Sequence, residues 1–299
     1  MNRRCALQAI AGMIVPVLAC RRKSESSASS RSTSAPAAQP LPAAREGHET
    51  IPHPLEPAKK VEWFWKKPEG PGPFPALVLL HGHQPGERNG GKMWVTSPKF
   101  PALVQRGIVA VAISQPGYGD SDGPPDYCGP FTTEAVLAVL RELRRRSYID
   151  PARVALEGGS RGAVVAGLVA ARDHELAGLV LISGPYDLVK AYAKLRAGLP
   201  NLAGIVDNME RETGGASEEA LRARSVLSVA DRIRTPTLIL SGSLDDRTDP
   251  MDARALANEL KGHGVFAKTV IYPTFGHVLP PAEIMKEEQP FLQTHLERR

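Results

Sequence analysis

The serine at the centre of Gly158-Gly159-Ser160-Arg161-Gly162 carries the clearest chemical signature in this chain. An apolar run precedes it at residues 154–156, and small apolar residues follow at 161–172, which predicts a strand, a sharp turn and a helix. Glycines around the serine permit the close backbone approach of such a turn. The pattern favours a nucleophilic serine, and the alternative is a tight turn in which Ser160 only caps the helix.

A serine hydroxyl needs a general base, and the base needs an acid that orients it. For this type of turn the expected chain order is serine, then acid, then histidine. Asp245 and Asp246 follow an apolar run at 237–240, and His277 follows another at 269–271. Serine, acid and histidine therefore each follow a predicted strand, in the required order.

Other residues compete for the acid and base roles. Asp187 follows a predicted strand that ends at residue 182, so it is an alternative acid. The alternative histidines are His263 at a predicted helix end, His295 in the last predicted helix, and His48 and His53 ahead of the predicted folded part. His277 fits the base best, because it alone among these lies after a predicted strand.

The elements that must position these residues alternate between strands and helices. Continuous apolar runs at 74–80 and 108–113 are typical of buried parallel strands. The alternation predicts an α/β fold, with a mostly parallel sheet flanked by helices on both faces. Residues 186–230 interrupt the alternation and are predicted to form a short cap-like insertion over the site.

With these motifs, residues 61–299 resemble an α/β-hydrolase, closest to the catalytic domains of the prolyl-oligopeptidase and dienelactone-hydrolase branches. The resemblance lies in the Gly-Gly-Ser-Arg-Gly turn, in the stretch R-T-P-T-L-I-L-S-G-S-L-D at 234–245, and in Gly276-His277. In that family the acid stands three residues after the glycine of the second motif. The resemblance thus implies a catalytic triad of Ser160, Asp245 and His277, and leaves Asp246 a surface or loop role.

The resemblance also implies an oxyanion hole built from two backbone N–H groups, those of Arg161 and His83. His83 lies in His81-Gly82-His83-Gln84, where His81 is expected to hold the loop by hydrogen bonding. The side chains of Arg161 and His83 are expected to be solvated, with contact to an acidic substrate group as the alternative. Tyr118, in a glycine-rich turn, is expected to be structural or to line the pocket.

Charge and composition exclude several other functions. The net charge is +5, but the basic excess lies in the first 60 residues, and the remainder carries equal numbers of acidic and basic residues. The folded part therefore lacks the basic surface of a nucleic-acid-binding protein. No paired histidine or cysteine spacing occurs, so neither a metal nor a cofactor is predicted. The lone Cys128 is expected to be inert.

The amino terminus resembles an export signal. Arg3 and Arg4 precede an apolar run at 6–19, which is too short to span a membrane as a stable anchor. The run ends in Val-Leu-Ala-Cys20, which resembles the lipidation site of bacterial lipoproteins. The interpretation is a secretory signal over 1–19, a disordered tether over 20–60 and a hydrolase domain over 61–299. The exported protein is expected to be membrane-anchored through Cys20, or otherwise periplasmic or secreted after cleavage near Ala19.

The predicted activity is hydrolysis of carboxylic esters of small or medium substrates through an acyl-enzyme on Ser160. One alternative is a peptidase of the prolyl-oligopeptidase type that acts on short peptides. The roughly 40 tether residues cannot encode the propeller of the large oligopeptidases, which disfavours that alternative. The dienelactone enzymes use cysteine where Ser160 stands. A further alternative is an inactive hydrolase fold used as a binding module.

Lipidation of Cys20 leads to the first prediction. The Cys20→Ser variant should lose membrane attachment and keep its specific activity, because the thiol that accepts the lipid is remote from the triad in sequence. Membrane fractionation of both proteins measures this, and mass spectrometry of the mature wild-type protein checks the modification. A mature wild-type chain without lipid would show that this interpretation is wrong.

Overall fold

The computed structural model describes residues 44–198 and 202–297. The predicted signal over 1–19, Cys20 and most of the predicted tether lie outside the described residues. In the described part of the chain, no helix combines the length and apolar character needed to cross a membrane.

One sheet of eight strands organises the described residues, in the order β1-β2-β4-β3-β5-β6-β7-β8. The strands are β1 Glu46–Pro52, β2 Lys60–Lys66, β3 Phe74–Leu80, β4 Val109–Ile113, β5 Ile149–Gly159, β6 Gly178–Ile182, β7 Thr237–Gly242 and β8 Ala267–Tyr272. Strand β2 runs antiparallel to β1 and β4, and the other neighbouring strands are parallel. The predicted α/β fold with a mostly parallel sheet is confirmed.

Helices cover both faces of the sheet, as the alternation predicts. They are α1 Lys92–Val95, α2 Lys99–Gln105, α3 Pro130–Arg144, α4 Arg161–Ala170, α5 Leu188–Gly198, α6 Ala203–Thr213, α7 Glu218–Arg222, α8 Pro250–Gly262 and α9 Pro281–Leu292. A 3-10 helix spans Val226–Arg232, and a π-helical turn spans Gln293–Glu297. One apolar cluster packs α3, α4 and α8 on one face, and a second packs α2 and α9 on the other.

Strand β1 corrects the predicted tether. Residues 46–52 pair in full register with β2, so the prediction of disorder up to residue 60 is wrong over 46–60. His53 is buried and stacks on the ring of Phe131, with 3.6 Å between the ring centroids. The sequence did not predict this strand, because E-G-H-E-T-I-P is mostly polar. Such a sequence can form a strand here because β1 lies at the edge of the sheet, where its side chains are exposed or only partly buried.

The segment between β6 and β7 is the helical insertion expected near 186–230. It contains α5, α6, α7 and the 3-10 helix. Helix α6 is amphipathic and buries Asn208, Met209 and Glu212. Two of these three buried residues are polar, which indicates that the helix covers polar groups of the main domain as well as its apolar core.

A buried charge cluster lies beneath the strand that leads to Ser160. The ammonium of Lys99 on α2 lies 2.6 Å from both carboxylate oxygens of Glu157 and 2.7 Å from Glu288 on α9. Both glutamate side chains are almost fully buried. Burial and the neighbouring Glu288 raise the pKa of Glu157 to about 8, against the opposing effect of Lys99. Protonation of Glu157 therefore stabilises the folded state.

This pKa shift predicts a pH-dependent stability. A carboxyl whose pKa is higher in the folded than in the unfolded state stabilises the fold fully below its ordinary pKa, and that contribution is lost as the pH rises to 8. The free energy of unfolding of the wild type, relative to Glu157→Gln, should fall between pH 5 and pH 8 by up to about 1.4 kcal/mol per pH unit. Denaturant unfolding at a series of pH values measures the difference. A parallel pH course for Glu157→Gln and the wild type would refute the prediction.

Candidate active site

Ser160 lies at the tip of a strained turn between β5 and α4. Its backbone has φ 52° and ψ −121°, a left-handed conformation that costs a non-glycine residue about 1–3 kcal/mol. The Ser160 N–H donates to the carbonyl of Ile182 at the end of β6, at 2.7 Å. Because this hydrogen bond ties the turn to the end of β6, Ser160 is held at the carboxyl edge of the sheet.

Two glycines of the turn are required by close backbone contacts. A Cβ on Gly158 would collide with the carbonyl of Gly162, and a Cβ on Gly162 would lie 2.6 Å from the carbonyl oxygen of Leu80. A Cβ on Gly159, in contrast, would meet no atom within 4 Å. The G-x-S-x-G spacing therefore reflects the packing of the turn against its own helix and against the end of β3.

The structure brings the three predicted triad residues together. His277 Nε2 lies 3.0 Å from Ser160 Oγ, and His277 Nδ1 lies 2.9 Å from Asp245 Oδ2. An N–H on Nδ1 that donates to the carboxylate leaves Nε2 free to accept the serine proton. This geometry matches a nucleophile, a general base and an orienting acid.

The loop after β7 holds the Asp245 side chain by hydrogen bonds, and its environment differs from those of the two alternative acids, Asp187 and Asp246. Its side chain is fully buried and accepts hydrogen bonds from the backbone N–H groups of Arg247 and Thr248 and from the Thr248 hydroxyl. Burial alone would raise the pKa of Asp245, but the hydrogen bonds from His277 and Thr248 outweigh it and lower the pKa. The side chain of Asp246 is 58% exposed, and the carboxylate of Asp187 accepts backbone N–H groups at the start of α5.

Gly242 allows the acid and histidine loops to meet, a role that the sequence reasoning missed. A Cβ at this position would collide with the carbonyl oxygens of Phe275 and Gly276. The next loop residues then hydrogen bond across the gap, with Leu244 N–H donating to Phe275 O at 3.0 Å. The signal in the sequence was the Ser-Gly pair that ends the apolar run of β7.

The loop after β3 is held by His81, as expected. Its Nδ1–H donates to Gly82 O at 2.9 Å, and its Nε2 accepts the backbone N–H of Gln115 at 3.1 Å. Burial lowers the pKa of His81 to about 4, so the ring is neutral and holds one tautomer. A Cβ on Gly82 would lie 3.2 Å from the Ser160 Cβ, which places this loop directly beside the nucleophile. The two predicted oxyanion donors, His83 and Arg161, are the residues that follow Gly82 and Ser160.

The side chain of Arg161 is buried, so the expectation that it is solvated is wrong. Only 3% of it is exposed, and its Nη1 lies 2.8 Å from the carboxylate of Glu212 on α6. The guanidinium also lies 4.9 Å from the ring centroid of Tyr127 and 5.6 Å from that of Tyr118. The burial of Arg161 could not be predicted from the serine motif, because its partner Glu212 lies far away in sequence, in the insertion.

The side chain of His83 is half-buried, which also corrects the expectation that it is solvated. Its ring nitrogens lie 3.5 Å from the Tyr118 hydroxyl and 3.5 Å from Asn208 Nδ2. Burial, reinforced by the nearby Arg161, lowers the pKa of His83. Tyr118 is itself fully buried and contacts both predicted donor residues, so it is a structural part of this corner.

Two further groups carry side chains that could in principle be reactive, a cysteine and a cluster of possible metal ligands. Burial raises the pKa of the Cys128 thiol to about 12, so this buried cysteine stays protonated. His48, Glu62 and Asp120 offer metal-ligating atoms within 4.8 Å of one another. Glu62, however, already accepts hydrogen bonds from Ser114 Oγ and from the Asp120 N–H, and its other oxygen lies 2.6 Å from His48 Nε2. The carboxylate is therefore engaged within the protein.

The sequence is similar to those of several known proteins. A model of the prolyl oligopeptidase family matches residues 129–298. Two relatives from Bacillus subtilis (strain 168) are the uncharacterized peptidases YtmA, 25% identical over 228 residues, and YuxL, 26% identical over 218 residues. The alignments cover 75% and 71% of this chain, and 84% of YtmA but only 32% of YuxL. Esterase EstD of Thermotoga maritima is 24% identical over 251 residues, which are 74% of this chain and 60% of EstD.

Solved structures show the same fold at low identity. The Pyrococcus furiosus esterase Pf2001 superposes with a TM-score of 0.64 and 18% identity, over 84% of this chain and 91% of that one. A puromycin hydrolase superposes with a TM-score of 0.69 and 21% identity, over 85% of this chain and 40% of that one. These neighbours support an α/β-hydrolase fold.

The buried acid leads to a prediction that separates the three aspartates. Asp245→Asn should lower kcat/KM by about 10³- to 10⁴-fold, because the amide neither fixes the His277 tautomer nor stabilises the imidazolium. Asp187→Asn and Asp246→Asn should change kcat/KM by less than threefold, since neither carboxylate contacts His277. Steady-state kinetics on an activated ester measure all three. A large loss for Asp187→Asn with an active Asp245→Asn would place the acid after β6 instead.

Proposed function

This chain belongs to the prolyl oligopeptidase family, and from that premise we propose that it is a serine hydrolase that cleaves carboxylic esters of small or medium size. The observation that carries the proposal is the Ser160–His277–Asp245 arrangement, with 3.0 Å between the nucleophile and the base and 2.9 Å between the base and the acid.

The proposed reaction proceeds in two halves. Ser160 Oγ attacks the ester carbonyl while His277 Nε2 takes its proton, and Asp245 stabilises the imidazolium that forms. The negative charge on the carbonyl oxygen is bound by the backbone N–H groups of His83 and Arg161. His277 then protonates the departing alcohol, which leaves an acyl group on Ser160. A water molecule, activated by His277, releases the acid in the second half.

The surface next to the acid and the base supports an ester with an apolar alkyl or acyl group. Leu244 and Val278, which adjoin the acid and the base, are 65% and 78% exposed. These side chains offer an apolar surface beside the triad, which suits an alkyl or acyl group. The relative EstD is named an esterase.

Peptidase activity is the second candidate, and the names of two relatives favour it. YtmA and YuxL are both called peptidases, and this chain aligns with 84% of YtmA. An inactive binding module is the least supported alternative, because all three triad side chains are present and within hydrogen-bond distance of one another.

Export and membrane attachment through Cys20 complete the proposal and rest on residues 1–20 alone.

A fluorophosphonate probe and paired substrates test the reaction. The wild type should be labelled at Ser160 and should hydrolyse p-nitrophenyl esters of short to medium acyl chains. Its kcat/KM on aminoacyl p-nitroanilides should be at least 100-fold lower. Ser160→Ala should fold normally and lose labelling together with nearly all turnover, because only the attacking oxygen is removed. Amide rates that rival the ester rates would favour the peptidase, and absence of labelling would favour the binding module.

A further inference from the structure

Helix α6 contacts the side chains of both residues whose N–H groups are proposed to bind the oxyanion. Glu212, in its last turn, lies 2.8 Å from Arg161 Nη1. One turn earlier, Asn208 Nδ2 lies 3.5 Å from His83 Nε2. The insertion therefore reaches the corner of the site that stabilises charge, in addition to covering the domain.

The contact between Arg161 and Glu212 is an ion pair removed from water. The two side chains are 3% and 2% exposed, and the guanidinium is bordered by the rings of Tyr118 and Tyr127. Among the described residues, Glu212 is the only carboxylate within ion-pair distance of Arg161, and Arg161 Nε and Nη2 have no hydrogen-bond partner. Loss of one partner from such a pair leaves an uncompensated buried charge, which is strongly unfavourable.

The guanidinium belongs to the same residue as one of the two N–H groups that are proposed to bind the oxyanion. Arg161 is the first residue of α4, directly after the strained turn at Ser160. Without Glu212, the buried cation loses its counter-charge, which favours displacement of the guanidinium from its present position. A displaced guanidinium would pull on the first residue of α4, which also carries the N–H next to Ser160.

We propose that Glu212 is a positioning residue: its buried ion pair with Arg161 anchors helix α6 to the nucleophile turn and orients the Arg161 N–H towards the oxyanion. Glu212 does not touch the substrate and acts through Arg161. The inference rests on the proposed function, because the N–H acquires this role only when Ser160 forms a tetrahedral intermediate.

The test compares Glu212→Gln with Glu210→Gln. Both residues lie on α6, but Glu210 pairs with the Tyr192 hydroxyl and with Arg196, away from the turn. Well below the thermal midpoint of each protein, Glu212→Gln should lower kcat on a p-nitrophenyl ester by roughly 10- to 100-fold. This is less than the about 10²- to 10³-fold that follows complete loss of an oxyanion donor. KM should change by less than threefold, and Glu210→Gln should match the wild type.

A second readout separates positioning from a general loss of structure. The rate of Ser160 phosphonylation by a fluorophosphonate should fall by the same factor as kcat, since both reactions place negative charge on an oxygen at the same site. Glu212→Asp keeps the carboxylate but draws it back from the guanidinium, so its kcat should lie between those of Glu212→Gln and the wild type, at constant KM. If Glu212→Gln does not fold, Glu212→Asp is the test, and a wild-type kcat for this variant would overturn the proposal.

The outcomes distinguish this inference from the proposed function. A folded Glu212→Gln with wild-type kcat and phosphonylation rate would overturn the role of Glu212 and leave the proposed reaction intact. A loss of kcat that disappears on cooling, as the folded fraction recovers, would also overturn it, because only stability would then be affected. A wild type that is neither labelled nor active on esters or amides would contradict the proposed function itself.

Discussion

Close contacts between backbone segments at the carboxyl edge of the sheet are the constraint on which the active site depends. Gly162 packs against the carbonyl of Leu80, Gly82 packs against the nucleophile turn, and Gly242 packs against the carbonyls of the histidine loop. A Cβ on Gly162 or Gly242 would collide with these carbonyls, and a Cβ on Gly82 would be crowded at 3.1 Å from the carbonyl oxygen of Gly159. The triad distances near 3 Å therefore depend on close backbone packing as well as on the catalytic side chains.

Buried charge is the second constraint, and it acts on both sides of the nucleophile. Glu157, three residues before Ser160, is held by Lys99 from α2 and shares that lysine with Glu288 from α9. Arg161, one residue after Ser160, is held by Glu212 from α6. The five-residue segment 157–161 is thus tied to three helices that are distant in sequence. A buried ion pair such as Arg161–Glu212 often contributes no more to net stability than apolar packing of the same volume, but removal of one partner is strongly destabilising.

The sequence predicts most of the sheet and the triad for identifiable reasons. Buried parallel strands such as β3 and β4 are continuous apolar runs, and Ser160, Asp245 and His277 each follow such a run. Strand β1 was missed because an edge strand needs only partial burial and its sequence is polar. The burial of Arg161 was missed because its partner comes from the insertion, whose packing has no local signature. Sequence patterns report local periodicity, and these two features depend on contacts between distant segments.

The edge strand has a practical consequence for how this domain is produced. The Trp65 indole lies against Gly47 and its N–H donates to Glu49, so β1 covers an aromatic side chain as well as the hydrogen-bonding edge of β2. A recombinant fragment that starts at residue 61, where the polar stretch ends, would lack β1. Strand β2 would then expose its unpaired backbone N–H and C=O groups and the side chain of Trp65. Such edges recruit strands from other molecules and lead to aggregation. Soluble expression of the domain therefore requires a start before residue 46, ahead of a segment that composition alone would mark as dispensable.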